Sequence, residues 1–292
     1  MDLMRSLMFV PGQRQKMLDK AFTLALDVAL FDLEDGVPPA EKPTARELVS
    51  AVLSRPAGGP TRYVRINAVD TQWADEDLEA IVRPGLDGIL LPKADTPDDL
   101  TRLAQWLDAL ETTAGLQRGS VRVIAAIESA TGLLHAAAIA RASPRIAGLM
   151  FGAEDFAKDL GLPIVRQAEA AELAYARSAM VVAAAAANVG AFDGVWPDLR
   201  DAEGLRRDTL RARRLGFTGK SLIHPGQIDT INEIFSPTAE DVDYALRVVA
   251  AFEEAQARGE GAIAFGGQLI DLPIVERARQ TLRLHALLAA RA

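Results

Sequence analysis

A closed barrel of eight parallel strands, each followed by a helix, is the fold this sequence predicts, and three observations predict it. Short β-type runs alternate with helical stretches along most of the 292 residues, and eight such units within roughly 225 residues match a (β/α)8 TIM barrel. Nearly every run ends in an ionisable group while the turns before the runs are plainer, which is the asymmetry of a barrel whose chemistry sits at the C-terminal ends of its strands. No Gly-x-Gly-x-x-Gly follows any run, so the runner-up, an open doubly wound dinucleotide-binding sheet, has no support.

The strands are read at Ser6–Val10, Val28–Leu33, Arg62–Ile66, Gly88–Leu91, Val121–Ile127, Ile146–Phe151, Gly194–Trp196 and Lys220–Ile223. Each is a short apolar run, as expected of a parallel strand buried on both faces. Between them, helical patterns occupy Gln15–Leu26, Pro43–Leu53, Pro97–Thr113, Leu133–Arg141, Ala168–Val189 and Ala202–Leu215. Thr238–Arg258 follows as one long helix, then a brief extended piece at Ala262–Phe265, a Gly266-Gly267 hinge and a last helix, Pro273–Ala290, starting at its own proline. This tail exceeds what a barrel needs. We therefore expect a catalytic barrel over residues 1–235 and a C-terminal helical extension over 236–292, placed to pack on the barrel or to reach a neighbouring subunit as a lid.

The bulk numbers narrow the function. The net charge is −8 with three His and no Cys, which argues against a nucleic-acid binder, against zinc and iron–sulfur chemistry, and against a disulfide framework. Hard, oxygen-ligated cations remain. The start, Met1-Asp2-Leu3-Met4-Arg5, carries no signal-peptide pattern, and no apolar stretch approaches a membrane span. A cytoplasmic protein with no membrane or nucleic-acid partner is expected.

Two apolar runs stop at acids: Val121–Ile127 at Glu128, and Ile146–Phe151, through Gly152-Ala153, at Glu154-Asp155. Acids are rarely buried without compensation. Glu128 and Asp155 lie 27 residues apart, one strand–helix repeat, and so at the same end of a parallel sheet. Such a pair facing a cleft suits Mg²⁺ when substrate and water supply the other oxygens. Each acid can instead pair with an arginine or cap a helix. With Glu34 and Asp35 two units away, however, the acids would repel one another without a cation. Arg65, inside the third run, suits a substrate carboxylate held by two parallel hydrogen bonds, or an ion pair with Glu34, Asp35 or Glu128. Arg14 and Lys16 open the first helix, where they either bind an anion or form a solvated face. Lys42 and Arg46 begin the second helix and can balance the acids after the second strand. His224 reads as structural, and Asp271, before Leu272-Pro273, reads as a helix N-cap.

These segments resemble one family. Arg5-Ser6-Leu7-Met8-Phe9-Val10-Pro11-Gly12, Phe31-Asp32-Leu33-Glu34-Asp35-Gly36-Val37, Val64-Arg65-Ile66-Asn67 and Leu91-Pro92-Lys93 carry the likeness. So do Ile127-Glu128-Ser129, Phe151-Gly152-Ala153-Glu154-Asp155, Gly219-Lys220-Ser221-Leu222-Ile223-His224-Pro225 and Leu269-Ile270-Asp271-Leu272-Pro273. The chain resembles the citrate lyase β-subunit-like and malyl-CoA lyase group of metal-dependent CoA-ester lyases along its whole length.

The resemblance implies a barrel with a C-terminal lid, assembled as a homotrimer or hexamer. It implies Mg²⁺ held by Glu128 and Asp155, with Glu34 and Asp35 nearby through water and Lys42 behind them. Arg65 would hold the carboxylate of a 2-oxo acid, and Arg14, Lys16, Gly152, Ala153 and Glu154 would line the substrate. Asp271 becomes the acid/base, reaching the site of an adjacent subunit. Gln13 stands where many members carry Asn, and Thr131 where many carry an acid. The implied reaction is reversible cleavage of a 3-hydroxyacyl thioester (citryl-, malyl- or citramalyl-type), on CoA or an acyl-carrier protein, into an acyl thioester and a 2-oxo acid. Three alternatives stand beside it: thioester hydrolysis on the same site, a non-catalytic acyl-CoA-binding subunit of a larger complex, and a phosphoenolpyruvate-type barrel enzyme without CoA.

Overall fold

The computed structural model describes residues 3–56, 58–163, 168–259 and 261–291. Eight strands form a closed barrel in sequence order: β1 (Ser6–Pro11), β2 (Val28–Asp32), β3 (Thr61–Arg65), β4 (Gly88–Leu91), β5 (Arg122–Ile127), β6 (Ile146–Phe151), β7 (Gly190–Asp193) and β8 (Gly219–Leu222). Neighbours are parallel throughout, and β1 pairs β8 through Ser6↔Lys220 and Met8↔Leu222 to close the ring. The helices between strands are α1 (Gln15–Ala21), α2 (Lys42–Leu53), α3 (Ala74–Ile81), α4 (Pro97–Thr113), α5 (Ala130–Ile139), α6 (Ala153–Asp159), α7 (Ala174–Ala187) and α8 (Ala202–Leu215). Then come α9 (Ile228–Phe235), α10 (Ala239–Ala257), a hairpin of β9 (Ile263–Phe265) and β10 (Gln268–Ile270), and α11 (Leu272–Ala289).

Strand alternation decides what fills the barrel. Every second residue points inward, and Leu7, Val28, Leu30, Tyr63, Leu90, Ile124, Ala126, Met150 and Phe192 form one buried cluster. Glycines make room for the large rings: a Cβ at Gly88 would lie 2.2 Å from the Tyr63 ring, and one at Gly148 2.4 Å from that of Phe192. Continued by two residues, the same alternation carries Asp32 past Leu30, Arg65 past Tyr63 and Glu128 past Ala126. The apolar interior thus gives way to charge at the C-terminal mouth.

The seventh strand differs from the reading at Gly194–Trp196. α7 ends at Ala187, and Asn188, with φ of 55°, turns the chain at once into Gly190–Asp193. Asparagine tolerates that left-handed turn. The helical run read at Ala168–Val189 starts as a 3-10 helix, Ala168–Leu173, before α7. The N-terminal Met1 and Asp2 lie outside the described residues.

Lys220 of β8 is 1% exposed and meets Asp193 of β7 and Asp208 of α8, while Arg177 of α7 meets the same two acids. This outward-facing network ties two strands to two helices and takes Lys220 away from the mouth.

The chain divides into two compact units, Met4–Asn232, which carries the barrel, and a C-terminal unit beginning at Glu233. The latter has its own core, in which Ala245, Val248, Phe252, Ile270, Val275 and Ala278 pack together. Capping boxes start α4 and α10, at Thr96/Asp99 and Thr238/Asp241. No helix among the described residues is long and apolar enough to cross a membrane.

Candidate active site

The mouth of the barrel is built on a carboxylate–guanidinium pair set by sheet register. Asp32 and Arg65 are paired residues at the ends of β2 and β3. Arg65 Nε and Nη2 each donate to an Asp32 oxygen at 2.7 Å. Asp32 also accepts the backbone N–H groups of Glu34 (3.0 Å) and Gly36 (2.9 Å). Burial alone would raise the Asp32 pKa, but the charge and hydrogen bonds of Arg65 with these two amides hold it below the usual carboxylate range. Burial would lower that of Arg65, yet Asp32, Glu34 and Glu128 raise it. The guanidinium stacks 4.7 Å above the Phe9 ring.

From sequence, Arg65 suits either a substrate ligand or an ion-pair partner of nearby acids. Its main partner is Asp32, which the sequence reading leaves unassigned, and Glu34 is the second, with Nη1 2.9 Å from Oε2. That contact lacks hydrogen-bond geometry, so the buried Glu34 Oε2 has no hydrogen-bond donor. Three of the five guanidinium N–H groups face these acids, and two remain for an anion.

Glu128 is 8% exposed at the end of β5. Burial pushes its carboxyl up to about 7, Glu34 adds to this, Arg65 opposes, and Asp155 adds a smaller increment. Its Oε2 accepts the Lys93 N–H at 2.9 Å. Asp155, in the first turn of α6, is half-buried, with Lys158 Nζ at 4.0 Å. Among the described residues no three His, Cys, Asp or Glu side chains converge into a cage. Glu128, whose ionised form is penalised, Asp155 and the donor-free Glu34 oxygen are the groups here whose chemistry suits a hard cation, with its remaining ligands drawn from outside the protein.

Gly152 belongs to this arrangement for its missing side chain. Its N–H already donates to Ile127 O at 3.0 Å, so it offers no free amide. A Cβ there would lie 2.3 Å from Glu128 Cγ and 2.7 Å from Oε1. The φ of −92° suits any residue, so space for Glu128 is what demands glycine. Because the nearest atom is Cγ, close to the backbone of a buried side chain, Gly152→Ala is expected to cost about 1–3 kcal/mol of stability and to displace the Glu128 carboxylate. Activity should fall at least ~100-fold, and wild-type activity in this variant would refute the crowding argument.

Two lysines behave differently. Lys42 Nζ donates to Leu33 O (2.8 Å), Glu34 O (3.1 Å) and Asn67 Oδ1 (2.7 Å). It therefore fastens the loop after β2 through its carbonyls, and burial lowers its pKa. Arg46 turns from the mouth to Asp77 and Glu76. Lys93, not among the site residues picked from sequence, follows β4 with Nζ 2.5 Å from Glu34 Oε1. Burial lowers its pKa, but Glu34, Asp35 and Glu128 raise it overall. Its φ is 50°, a left-handed conformation costing about 1–3 kcal/mol in a residue with a long side chain.

Arg14 and Lys16 are exposed at the start of α1, Asp35 and Glu154 are exposed, and Ala153 is buried. Gln13 Nε2 donates to Gly36 O at 2.8 Å, linking the loops after β1 and β2. His224 accepts the Gly226 N–H at Nδ1, a local structural role. Asp271 lies in the C-terminal unit as the N-cap of α11, accepting the Ile274 N–H at 3.4 Å.

Comparison with known proteins supplies the relationship. The HpcH/HpaI aldolase/citrate lyase family model matches residues 5–225. Citrate lyase subunit beta of Escherichia coli (strain K12) is 40% identical over 279 residues, 95% of this chain and 92% of that protein. The (3S)-malyl-CoA thioesterase of Cereibacter sphaeroides (strain KD131) is 37% identical over 287 residues, 98% of this chain and 96% of that protein. Among solved structures, the Mycobacterium tuberculosis protein CitE in complex with magnesium, acetoacetate and coenzyme A superposes with a TM-score of 0.78 at 35% identity, over 97% of this chain and 98% of that one. The chain belongs to the HpcH/HpaI aldolase/citrate lyase family.

Proposed function

We propose that this protein is a Mg²⁺-dependent carbon–carbon lyase. It would reversibly cleave a 3-hydroxyacyl-CoA thioester of citryl, malyl or citramalyl type into an acyl-CoA and a 2-oxo acid. The observation that carries the reading is Glu128: a carboxylate buried beside Glu34 and Asp155, next to a guanidinium with two unused donors, at the reactive end of the barrel. Relatives bound to magnesium with coenzyme A and acetoacetate, or with oxaloacetate, support the ligand classes.

In this reading Glu128 and Asp155 would hold the cation, with Glu34 and Asp35 as the neighbouring acids. When bound, Mg²⁺ supplies a Lewis acid for the oxygens of the oxo acid. Arg65 directs its two remaining N–H groups at the substrate carboxylate, oriented by its bonds to Asp32. Lys42 fixes the carbonyls beneath Glu34. Arg14 and Lys16 attract the anionic part of the thioester carrier, and Ala153 and Glu154, beside Glu128, form the substrate-facing rim. Asp271 returns a proton to the acyl α-carbon in cleavage and removes it in condensation. A carboxylate that caps its own helix is well fixed for that role. The C-terminal unit is assigned as a lid excluding water, in a cytoplasmic homotrimer or hexamer in which Asp271 serves an adjacent subunit.

Thioester hydrolysis is the second reading, favoured by the similarity to the malyl-CoA thioesterase. Incubation with Mg²⁺ and malyl-, citramalyl- or citryl-CoA, followed by mass analysis, separates the two. Acyl-CoA plus an oxo acid, lost with EDTA and in Glu128→Ala and Asp155→Ala, is the expected result. Free CoA with an intact hydroxy acid would identify a thioesterase, and no turnover of any thioester would overturn both.

A further inference from the structure

Lys93 and Asn188 are the two non-glycine residues with positive φ among the described residues. Asn188 ends a helix, an ordinary place for asparagine. Lys93 ends no helix, and a long side chain in this conformation is held there by its surroundings. The turn sends two consecutive amides to β5 and its end: Lys93 N–H to Glu128 Oε2 at 2.9 Å, and Ala94 N–H to Ala126 O at 3.1 Å. The side chain runs the other way, to the loop after β2, with Nζ 2.5 Å from Glu34 Oε1 and 3.9 Å from Asp35 Oδ1. One residue therefore joins the acids on both sides of the mouth.

Resting on the metal site proposed above, we infer that Lys93 is a positioning residue and built-in counter-cation. Its ammonium neutralises Glu34 and Asp35 while the site holds no metal, and it withdraws when a divalent cation arrives. Its amide keeps Glu128 aimed throughout. Exposure separates Lys93 from the other lysines near the strand ends. Lys42 is buried on three acceptors and Lys220 is locked between two acids, whereas the Lys93 side chain is 44% exposed and Glu34 only 5%. Of the two partners only the lysine has solvent to move into. An ammonium in ion-pair contact with Glu34 competes with a divalent cation for the same negative field, and its escape into solvent makes that competition reversible.

The test is divalent-ion binding rather than turnover. Mn²⁺ would be titrated into metal-free protein by electron paramagnetic resonance and displaced with Mg²⁺, for wild type, Lys93→Met, Lys93→Gly and Lys93→Arg. The glycine variant removes the ammonium while making the turn easier, which guards against a folding defect. The expected result is Mg²⁺ binding at least threefold tighter in the methionine and glycine variants and wild-type or weaker in the arginine variant. The methionine variant should also melt at a lower temperature than wild type in EDTA. A lysine with a merely structural role would not tighten metal binding when removed, so equal or weaker binding in either neutral variant overturns the inference while leaving the metal site intact. Wild-type protein that binds neither ion would overturn the site and the inference together.

Discussion

Glu128→Gln is expected to inactivate the enzyme and, without metal, to stabilise it. The buried carboxyl has its pKa raised to about 7 by burial and by Glu34, against about 4.3 in an unfolded chain. Between these values the unfolded chain gives up its proton and the folded one keeps it, so stability falls as pH rises through the interval. Well above pH 7 the loss is complete, at most about 4 kcal/mol. Glutamine cannot ionise and escapes it. In EDTA at pH 8 the variant should melt about 5 °C above wild type, and near pH 4.5 the advantage should vanish. Saturating Mg²⁺ should raise the melting temperature of wild type and leave the variant unmoved, and turnover should drop at least ~1,000-fold. Melting curves across pH with and without EDTA check all of this. A variant no more stable than wild type at pH 8 would mean that Glu128 is not the strained acid of the site.

Arg65→Lys is the second large effect. Lysine keeps the charge but cannot make two parallel bonds to Asp32 while still reaching Glu34. Asp32 would be left buried with two backbone donors and a poorly placed ammonium. A loss of about 2–4 kcal/mol in stability is expected, since breaking a buried pair is costly. If the two spare donors serve a substrate carboxylate, KM for the 2-oxo acid in the condensation direction should rise at least ~30-fold, while KM for the acyl-CoA changes little. An equal rise for both substrates would remove Arg65 from carboxylate recognition.

The sequence displays the parts of the fold that depend on residue type repeated at fixed spacing. Apolar runs ending in Asp32 and Glu128 mark strand ends, because a buried acid stands out against aliphatic neighbours, whereas the Glu154-Asp155 pair after the sixth run belongs to the first turn of α6. Features that depend on one backbone angle are hidden. The reading at Gly194–Trp196 misplaces β7 because Asn188 ends α7 earlier than composition suggests, and four residues starting with Gly190 resemble a turn. Lys93 is visible as a residue that follows the fourth run, but its role is hidden, because nothing in its type announces a positive φ. The clamp on Arg65 is hidden too: Asp32 is its partner only because β2 and β3 align them across the sheet, a register that neither strand carries by itself. The alternation carrying Leu30 to Asp32 and Tyr63 to Arg65 is a usable signal.

Glycine at position 152 has a consequence for how this protein can change. Its backbone angles do not demand glycine, and the three atoms nearest an added Cβ all belong to Glu128, so the restriction originates in the side chain at position 128. The two positions are one heritable unit. A randomised library at 152 should return glycine when Glu128 is kept and active protein is selected. The same library on a background with serine or alanine at 128 should accept many residues in folded protein. Drift toward a new catalytic role at this mouth must therefore begin at 128, since that substitution opens 152 to variation and the reverse order destroys the old activity first.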